Sequence, residues 1–159
     1  MQIIIAVLLS LAVTSAANAQ DASSPQELAT QVRTLIQSKN IDKIAELIQP
    51  ETAPASMANF KSDLVNYIGA ESLTVYIVPK DDQKAVEKFI AESPIPGAFK
   101  PLDDRVKKYE SAGRFFSIVP LGDLVISGKQ VGGSSKQSTS SVVYGQHNGK
   151  YLIIFAKKK

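Results

Sequence analysis

The dipeptide Asn148-Gly149 is the feature that most constrains the fold of this 159-residue chain. A two-residue type I′ turn needs a positive φ at both central residues, and Asn followed by Gly adopts it readily. The dipeptide therefore predicts a β-hairpin and fixes its register. The predicted opposite pairs are His147 with Lys150, Gln146 with Tyr151, Gly145 with Leu152, Tyr144 with Ile153, Val143 with Ile154 and Val142 with Phe155.

This register assigns the side chains of the hairpin to two faces, because opposite residues share a face and faces alternate along a strand. We expect helices to cover the face that carries Val142, Tyr144, Tyr151, Ile153 and Phe155. The other face carries Val143, Leu152 and Ile154, and it is more apolar than a solvated surface requires. Either another segment of the chain covers this second face or a second copy does. We favour a homodimer through the sheet.

Upstream of residue 115 the apolar residues recur with helical spacing. Ser24 can cap a helix, Pro25 suits the first helical position, and Glu27 completes a capping box. The pattern predicts helices over about 25–38, 41–49, 82–92 and 102–111, and another that Gly69 ends. A strand is predicted at 73–78. Asn40 is expected to end the first helix, and Asp81 to cap the helix at 82–92.

From residue 115 onward the period is strand-like, which predicts an antiparallel meander. Gly122-Asp123 is interpreted as a two-residue turn, and the Gly- and Ser-rich stretch 128–141 as a loop entering the next strand. Helices followed by a meander define an α+β class, with N-terminal helices packed on a curved antiparallel sheet. The length suits one domain, residues 20–159.

The first 19 residues carry no charged side chain and run apolar from Ile3 to Val13 before they turn small and polar. Ala17-Asn18-Ala19 is a small-x-small cleavage site, so residues 1–19 are interpreted as a secretory signal peptide. The apolar run is shorter than the roughly 20 residues that span a bilayer. We therefore expect a soluble periplasmic or secreted domain without a membrane span.

Residue content excludes several chemistries. The chain has no Cys and one His, so thiol catalysis and disulfides are excluded, and zinc would need carboxylates almost alone. His147 stands beside the hairpin turn, where no carboxylate is evident to support a Ser-His-Asp triad. The doublets Asp81-Asp82 and Asp103-Asp104 stand where helices begin, and capping accounts for them. We expect no metal and no cofactor.

Charge is unevenly distributed along the chain. Residues 20–99 carry 7 basic and 11 acidic side chains, whereas residues 100–159 carry 11 basic and 4 acidic ones. A basic C-terminal half could attract an anionic envelope surface. Aromatic residues do not alternate with these cations as they do in a single-strand groove, so no specific nucleic acid is expected.

Two segments carry a family resemblance: SPQELATQVRTLIQSKNIDKIAELIQP near the N-terminus and GQHNGKYLIIFAKK at the end. With a third helix and a first strand between them, they resemble the nuclear transport factor 2-like (cystatin-like) superfamily over most of residues 24–157. The resemblance implies a cone-like, strongly bent sheet that wraps the long helix and leaves a pocket. Members include isomerases, dehydratases and transport factors, but the Tyr-and-two-acids motif of the steroid isomerases has no counterpart here.

These observations favour a non-catalytic accessory module, dimeric through its sheet, that binds a small apolar ligand or a partner protein. Four tyrosine hydroxyls could orient a ligand in an apolar pocket: those of Tyr67, Tyr76, Tyr144 and Tyr151. A small lyase or isomerase with a buried carboxylate base stays open, as does a binder of anionic surfaces. A cavity carboxylate of raised pKa would favour the enzyme, and a collapsed or apolar cone would favour the binding module.

Overall fold

The first helix starts at the cap that the sequence predicts. In the computed structural model of the protein, which describes residues 21–93, 97–129 and 137–159, the Ser24 hydroxyl accepts a hydrogen bond from the Glu27 amide at 3.1 Å. The Glu27 carboxylate reaches back to the hydroxyl and amide of Ser23, and these bonds lower its pKa. The predicted signal peptide, residues 1–19, and part of the loop predicted at 128–141 lie outside the described residues.

Helices precede and separate the strands in the predicted order. The helices are α1 (Pro25–Gln37), a 3₁₀ helix (Ile41–Leu47), α2 (Pro54–Val65), α3 (Gln83–Ala91) and α4 (Leu102–Ser111). The strands are β1 (Glu71–Pro79), β2 (Arg114–Phe115), β3 (Pro120–Lys129), β4 (Gln137–His147), β5 (Lys150–Ile153) and β6 (Lys157–Lys158). The predicted α+β class is confirmed.

The main sheet is antiparallel and curled, with its four strands in the order β1-β3-β4-β5. Asn148 and Gly149 have φ values of 52° and 78°, as a type I′ turn requires. The ladder pairs His147 with Lys150 and continues without a shift to Tyr144 with Ile153. The hairpin and its register are therefore confirmed over these pairs. β2 and β6 form a separate two-stranded sheet.

The inner face of the main sheet is the one that α1, the 3₁₀ helix and α2 cover. Its strands contribute Leu124, Ile126, Tyr144 and Ile153, each 2% exposed or less. The helices contribute side chains that are equally buried: Leu28, Val32, Leu35, Ile36, Ile44, Leu47 and Leu64. Burial of each such side chain contributes about 1.5–3 kcal/mol, so this layer is the main hydrophobic core.

The outer face of the main sheet is covered by α3 and α4 in two separate clusters. Phe89 of α3 packs with Val78 and Val125, and it stacks on Phe99 with ring centroids 4.4 Å apart. Leu102 of α4 belongs to the other cluster, which lies over β4 and the segment after β5. Both faces of the sheet are therefore packed.

The apolar residues predicted as a dimer face are covered by the chain itself. Val143 and Ile154 are 6% and 1% exposed because they pack with Leu102 and Ile118, and Leu152 packs against the same cluster. Of the two alternatives that the sequence left open, a segment of the same chain is the one that the structure shows. These side chains therefore give no support to a homodimer through the sheet.

The turn predicted at Gly122-Asp123 is wrong. Both residues lie inside β3, which pairs with β1 on one side and with β4 on the other. The register with β4 shifts between Pro120 and Gly122, where β3 holds one extra residue, Leu121. The Gly-Asp dipeptide thus follows a bulge in a central strand and does not reverse the chain.

Two helix boundaries are also shifted by one residue. Lys39, with a φ of 59°, takes the left-handed conformation predicted for Asn40, whose φ is −100°. Asp82 rather than Asp81 caps α3, because its carboxylate accepts a hydrogen bond from the Ala85 amide at 3.0 Å. In each case a neighbouring residue takes the role: an equivalent carboxylate at Asp82, and at Lys39 a side chain less suited to the left-handed conformation than Asn.

Gly122 lies where β1, β3 and β4 meet, at a point that leaves no room for a side chain. A Cβ at this position would lie 2.3 Å from the carbonyl oxygen of Val78 and 2.8 Å from Cε1 of Tyr144. The missing side chain therefore makes room for the Tyr144 ring on the inner face.

We expect Gly122→Ala to destabilise the protein by about 1–3 kcal/mol, because the added methyl must displace the Val78 backbone or the Tyr144 ring. Gly128→Ala in the same strand is the matched control, since its Cβ would meet the Cβ of Ala70 at 3.4 Å. Urea unfolding followed by circular dichroism measures both. Equal stabilities of the two variants would contradict this account of Gly122.

Candidate functional site

The two edges of the main sheet differ in how they are protected. On the β5 side, the Tyr151 amide donates to the carbonyl of Ala22, and the Gln49 amide donates to the carbonyl of Ile153, each at 2.9 Å. On the β1 side, no described segment pairs with the far edge of the strand. A bare strand edge presents backbone amides and carbonyls that can pair with another chain. β1 is thus the open edge of the sheet.

A bulge and a proline limit the open edge to residues 74–78. The register with β3 shifts between Glu71 and Thr74, where Ser72 has a φ of 58°. At the other end stands Pro79, which has no amide hydrogen. Bulges and prolines are devices by which proteins restrict pairing at a sheet edge. The stretch left between them measures about 17 Å at the rise of a β-strand.

The open stretch lies in a groove of about 520 Å³ between α1 and α3, which we call the edge groove. Residues 74–78 all line it. Arg33 of α1 lies on one side, and the α3 residues on the other side are Ala85, Lys88, Phe89 and Glu92. Because helices flank the strand on both sides, the backbone edge is recessed.

A second pocket of about 370 Å³ adjoins the edge groove and shares Tyr76, Phe89 and Glu92 with it. We call it the polar pocket, since hydroxyl and amide groups of β3 and β4 line its other side: those of Ser127, Gln137 and Thr139. The Ser127 hydroxyl, on a residue 5% exposed, accepts from Nε2 of Gln137 at 2.9 Å and bonds with the Thr139 hydroxyl at 3.0 Å. An aromatic wall therefore faces a hydrogen-bonding one.

The edge groove carries charge on both sides. Arg33 is exposed and forms no ion pair with another described residue. Lys88 lies 3.8 Å from the Glu92 carboxylate on the surface of α3. Burial, with a smaller contribution from Glu92, raises the pKa of Tyr76, so its hydroxyl stays a neutral donor. Arg33 is therefore available to a carboxylate on a ligand.

The four tyrosines predicted to share a pocket are divided between the main core and the outer cluster. Tyr144 and Tyr151 lie together on the inner face, with ring centroids 6.4 Å apart, and pack against the main core. Tyr67 is 1% exposed in the same core, where its hydroxyl bonds with that of Ser140 at 2.8 Å. Tyr67 also borders a separate pocket of about 380 Å³, which Arg33 lines as well. Tyr76 alone of the four lines the edge groove.

Asp123 is a carboxylate buried between β3 and α4, on a residue 4% exposed. Both of its oxygens accept hydrogen bonds from Nη2 of Arg105, at 2.6 and 2.5 Å. Burial raises the pKa of Asp123, and the Arg105 guanidinium opposes that rise. Asp123 lines neither the edge groove nor the polar pocket. This ion pair therefore attaches α4 to the sheet.

Acidic groups of the N-terminal half partly neutralise the basic C-terminal half. Lys150 pairs with Asp21, and Lys157 pairs with Glu51, whose pKa its hydrogen bond and charge lower. The guanidinium of Arg114 lies 5.0 Å from the ring centroid of Tyr109. The uneven charge of the sequence is therefore reduced where the two halves meet.

Sequence reasoning missed the edge groove because it could not supply the strand order. Arg33 is an exposed residue of α1 and Phe89 packs in a buried cluster, so neither residue by itself indicates a ligand site. One signal was available: a proline at the end of a predicted strand favours an edge position, and Pro79 ends β1. That signal could have placed β1 at the edge, but not α1 and α3 beside it.

Comparison with known proteins gives no relative for this chain: no family model, curated sequence or solved structure matches it significantly. None of the helices within residues 21–93, 97–129 and 137–159 has the length and hydrophobicity of a membrane-spanning segment. The same part of the chain holds no cluster of three metal-ligating side chains. The geometry of the grooves is therefore the basis for a functional proposal.

We expect Arg105→Ala to destabilise the protein by about 3 kcal/mol at neutral pH, because Asp123 keeps a buried charge without a partner. The pKa of Asp123 then rises further above its unfolded value. The loss of stability relative to the wild type is therefore smallest in acid, and it grows as pH rises to the folded pKa that Asp123 has in the variant. Urea unfolding in acidic and neutral buffer measures this. Arg105→Met with Asp123→Leu should recover most of the loss, whereas a loss independent of pH would contradict the role of charge.

Burial, with the charges of Tyr151, Asp123 and Asp81, raises the pKa of Tyr144 from 10 to about 12. A raised tyrosine pKa means that the neutral form stabilises the fold, so this stability is present below pH 10 and is lost as pH rises to about 12. We expect Tyr144→Phe to lose less stability than the wild type across that window. Denaturant unfolding at stepped alkaline pH measures it, and identical profiles would refute it.

Proposed function

We propose that this protein is a non-catalytic binding module that holds a small apolar ligand or a segment of a partner protein in the edge groove. The observation that carries the proposal is the groove of about 520 Å³ over the open edge of β1. Ligand sites typically measure about 300–1,000 Å³ and combine apolar walls with a few placed polar groups. The edge groove fits that description, with Phe89 and Ala85 as apolar groups and Tyr76 and Arg33 as polar ones.

The alternative of a lyase or isomerase needs a carboxylate base that can reach a substrate. Asp123 has the raised pKa that such a base would need, but Arg105 occupies both of its oxygens and it lies outside the two pockets. Glu92 borders both pockets and is exposed, with Lys88 beside it. A binding role therefore accounts for this geometry better than carboxylate catalysis does.

The proposal keeps export and the family relationship as expectations from the sequence. In it, residues 1–19 direct the chain to the periplasm or the exterior, and the domain then acts as an accessory protein. A curled antiparallel sheet with helices on its inner face is in keeping with the nuclear transport factor 2-like superfamily. The packed inner face differs from the pocket which that resemblance implies, so we assign the ligand to the outer side and the edge.

Binding of anionic surfaces receives less support, since Lys150 and Lys157 are paired with carboxylates. Dimerisation through Val143, Leu152 and Ile154 is not part of the proposal, because that cluster packs within the chain.

A groove-filling substitution tests the proposal. Ala85 lines the edge groove, so Ala85→Trp should reduce the affinity for anilinonaphthalenesulfonate, an apolar anionic dye, by about tenfold or more. If the wild-type protein purified from its host carries a bound ligand, native mass spectrometry should detect that ligand on the wild type and not on Ala85→Trp. Ala91→Trp is the matched control, because Ala91 is an exposed residue of the same helix outside the groove. Unchanged binding in Ala85→Trp would overturn the proposal.

A further inference from the structure

One hydrogen bond shows which backbone groups point into the edge groove. The Lys80 amide donates to the carbonyl of Leu121, across from β1, at 2.9 Å. In an antiparallel ladder, alternate residues direct both backbone groups to the same neighbour. Even-numbered residues of the regular stretch, such as Tyr76, therefore pair with β3, and Val75 and Ile77 direct their amides and carbonyls to the open edge.

In the described part of the chain, no other segment forms a backbone hydrogen bond with the outward groups of Val75 and Ile77. They form two donors and two acceptors at the base of a groove whose walls combine apolar side chains with charged ones. A strand edge of this kind is matched by the backbone of an extended peptide, which supplies the same groups at the same spacing. A small apolar ligand could not pair with all four groups.

We infer that the edge groove binds an extended peptide segment of a partner protein, which adds to the sheet by pairing with Val75 and Ile77. This inference rests on the proposed function and names the class of ligand. The bulge at Ser72 and the absent amide of Pro79 limit the pairing to about five residues of the partner. The peptide is therefore short in its paired part.

The walls of the groove specify the side chains of the peptide. A residue opposite Tyr76 shares the outer face with it, so its side chain enters the space beside Tyr76 and Phe89 and should be apolar or aromatic. A residue opposite Val75 points to the inner side, where α1 carries Arg33. Arg33 also lines the pocket of about 380 Å³ that Ser72 and Leu73 border, so it lies nearer to Val75 than to Ile77 along the groove. An acidic residue beside an apolar one is the expected motif.

A second copy of this chain is a poorer fit to the edge groove than a single peptide. A strand occupies about 4.8 Å in the pairing direction, whereas a helix with its side chains is about 10 Å across. An edge-to-edge dimer would bring α1 and α3 of the second copy against α1 and α3 of the first. The recessed edge therefore favours an occupant without flanking helices.

The test begins with a phage-displayed library of random linear peptides, selected on the purified protein. A synthetic form of the selected peptide is then titrated, and each of its backbone amides is methylated in turn. Pairing with Val75 and Ile77 predicts that methylation weakens binding at every second position of the paired stretch only, by about tenfold or more. Sensitivity at no position or at consecutive positions would overturn the inference.

Amide hydrogen exchange supplies an independent readout on the protein itself. Peptide binding should slow exchange at Val75 and Ile77 by at least about tenfold, and it should change Tyr76 little, since that amide already pairs with β3. Arg33→Gln should lower the affinity for an acidic peptide by about threefold to tenfold. Lys107→Gln is the control: it removes an exposed cation of α4 outside the groove, so it should leave the affinity unchanged.

The remaining outcomes separate this inference from the proposed function. Binding that Ala85→Trp abolishes without protection of Val75 and Ile77 would overturn the peptide and leave a different ligand in the groove. Protection of both amides without peptide, rising with protein concentration, would identify a second copy instead. Protection that is lost when residues 1–20 are removed would identify the chain's own N-terminal segment. Each of these results counts against a partner peptide.

Discussion

Burial of β3 on both faces is the constraint on which the rest of the structure depends. From Gly122 to Gly128 every residue of this strand is buried, so Leu124 and Ile126 need helices on the inner side and Val125 needs them on the outer side. α1 and the 3₁₀ helix satisfy the first need and α3 satisfies the second, while α4 covers Val143 of the neighbouring β4. With both faces occupied, the sheet edge becomes the place where the backbone can meet a ligand.

Much of the fold could be predicted from local signals. The Asn148-Gly149 turn determined both the register and the faces of the last hairpin, and Ser24 with Pro25 located the start of α1. These predictions succeeded because the stabilising contacts join residues close in sequence. Gly122-Asp123 was misread because its environment is made by β1 and β4, which lie far from it along the chain.

The candidate site was harder to predict for the same reason. Its residues come from α1, β1 and α3, and nothing near Arg33 in sequence indicates that β1 runs beside it. Four tyrosines were reasonable pocket residues by composition, but three of them pack in the main core and Tyr76 points the other way. Strand alternation within β1 separates Tyr76 from its neighbours, and strand order determines what it meets. Strand alternation could be predicted from the sequence, whereas strand order could not.

The bridge between Ala22 and Tyr151 also has a consequence for how the domain can be attached to a support. A tether joined ahead of Asp21 leaves the domain beside β5, three strands away from β1. A protein immobilised in that way would be linked beside the covered edge of its sheet, and the unpaired edge of β1 would lie on the far side of the domain. Display from a bead, a cell wall or a fusion partner is therefore compatible with an accessible groove, provided that the link is made at that end.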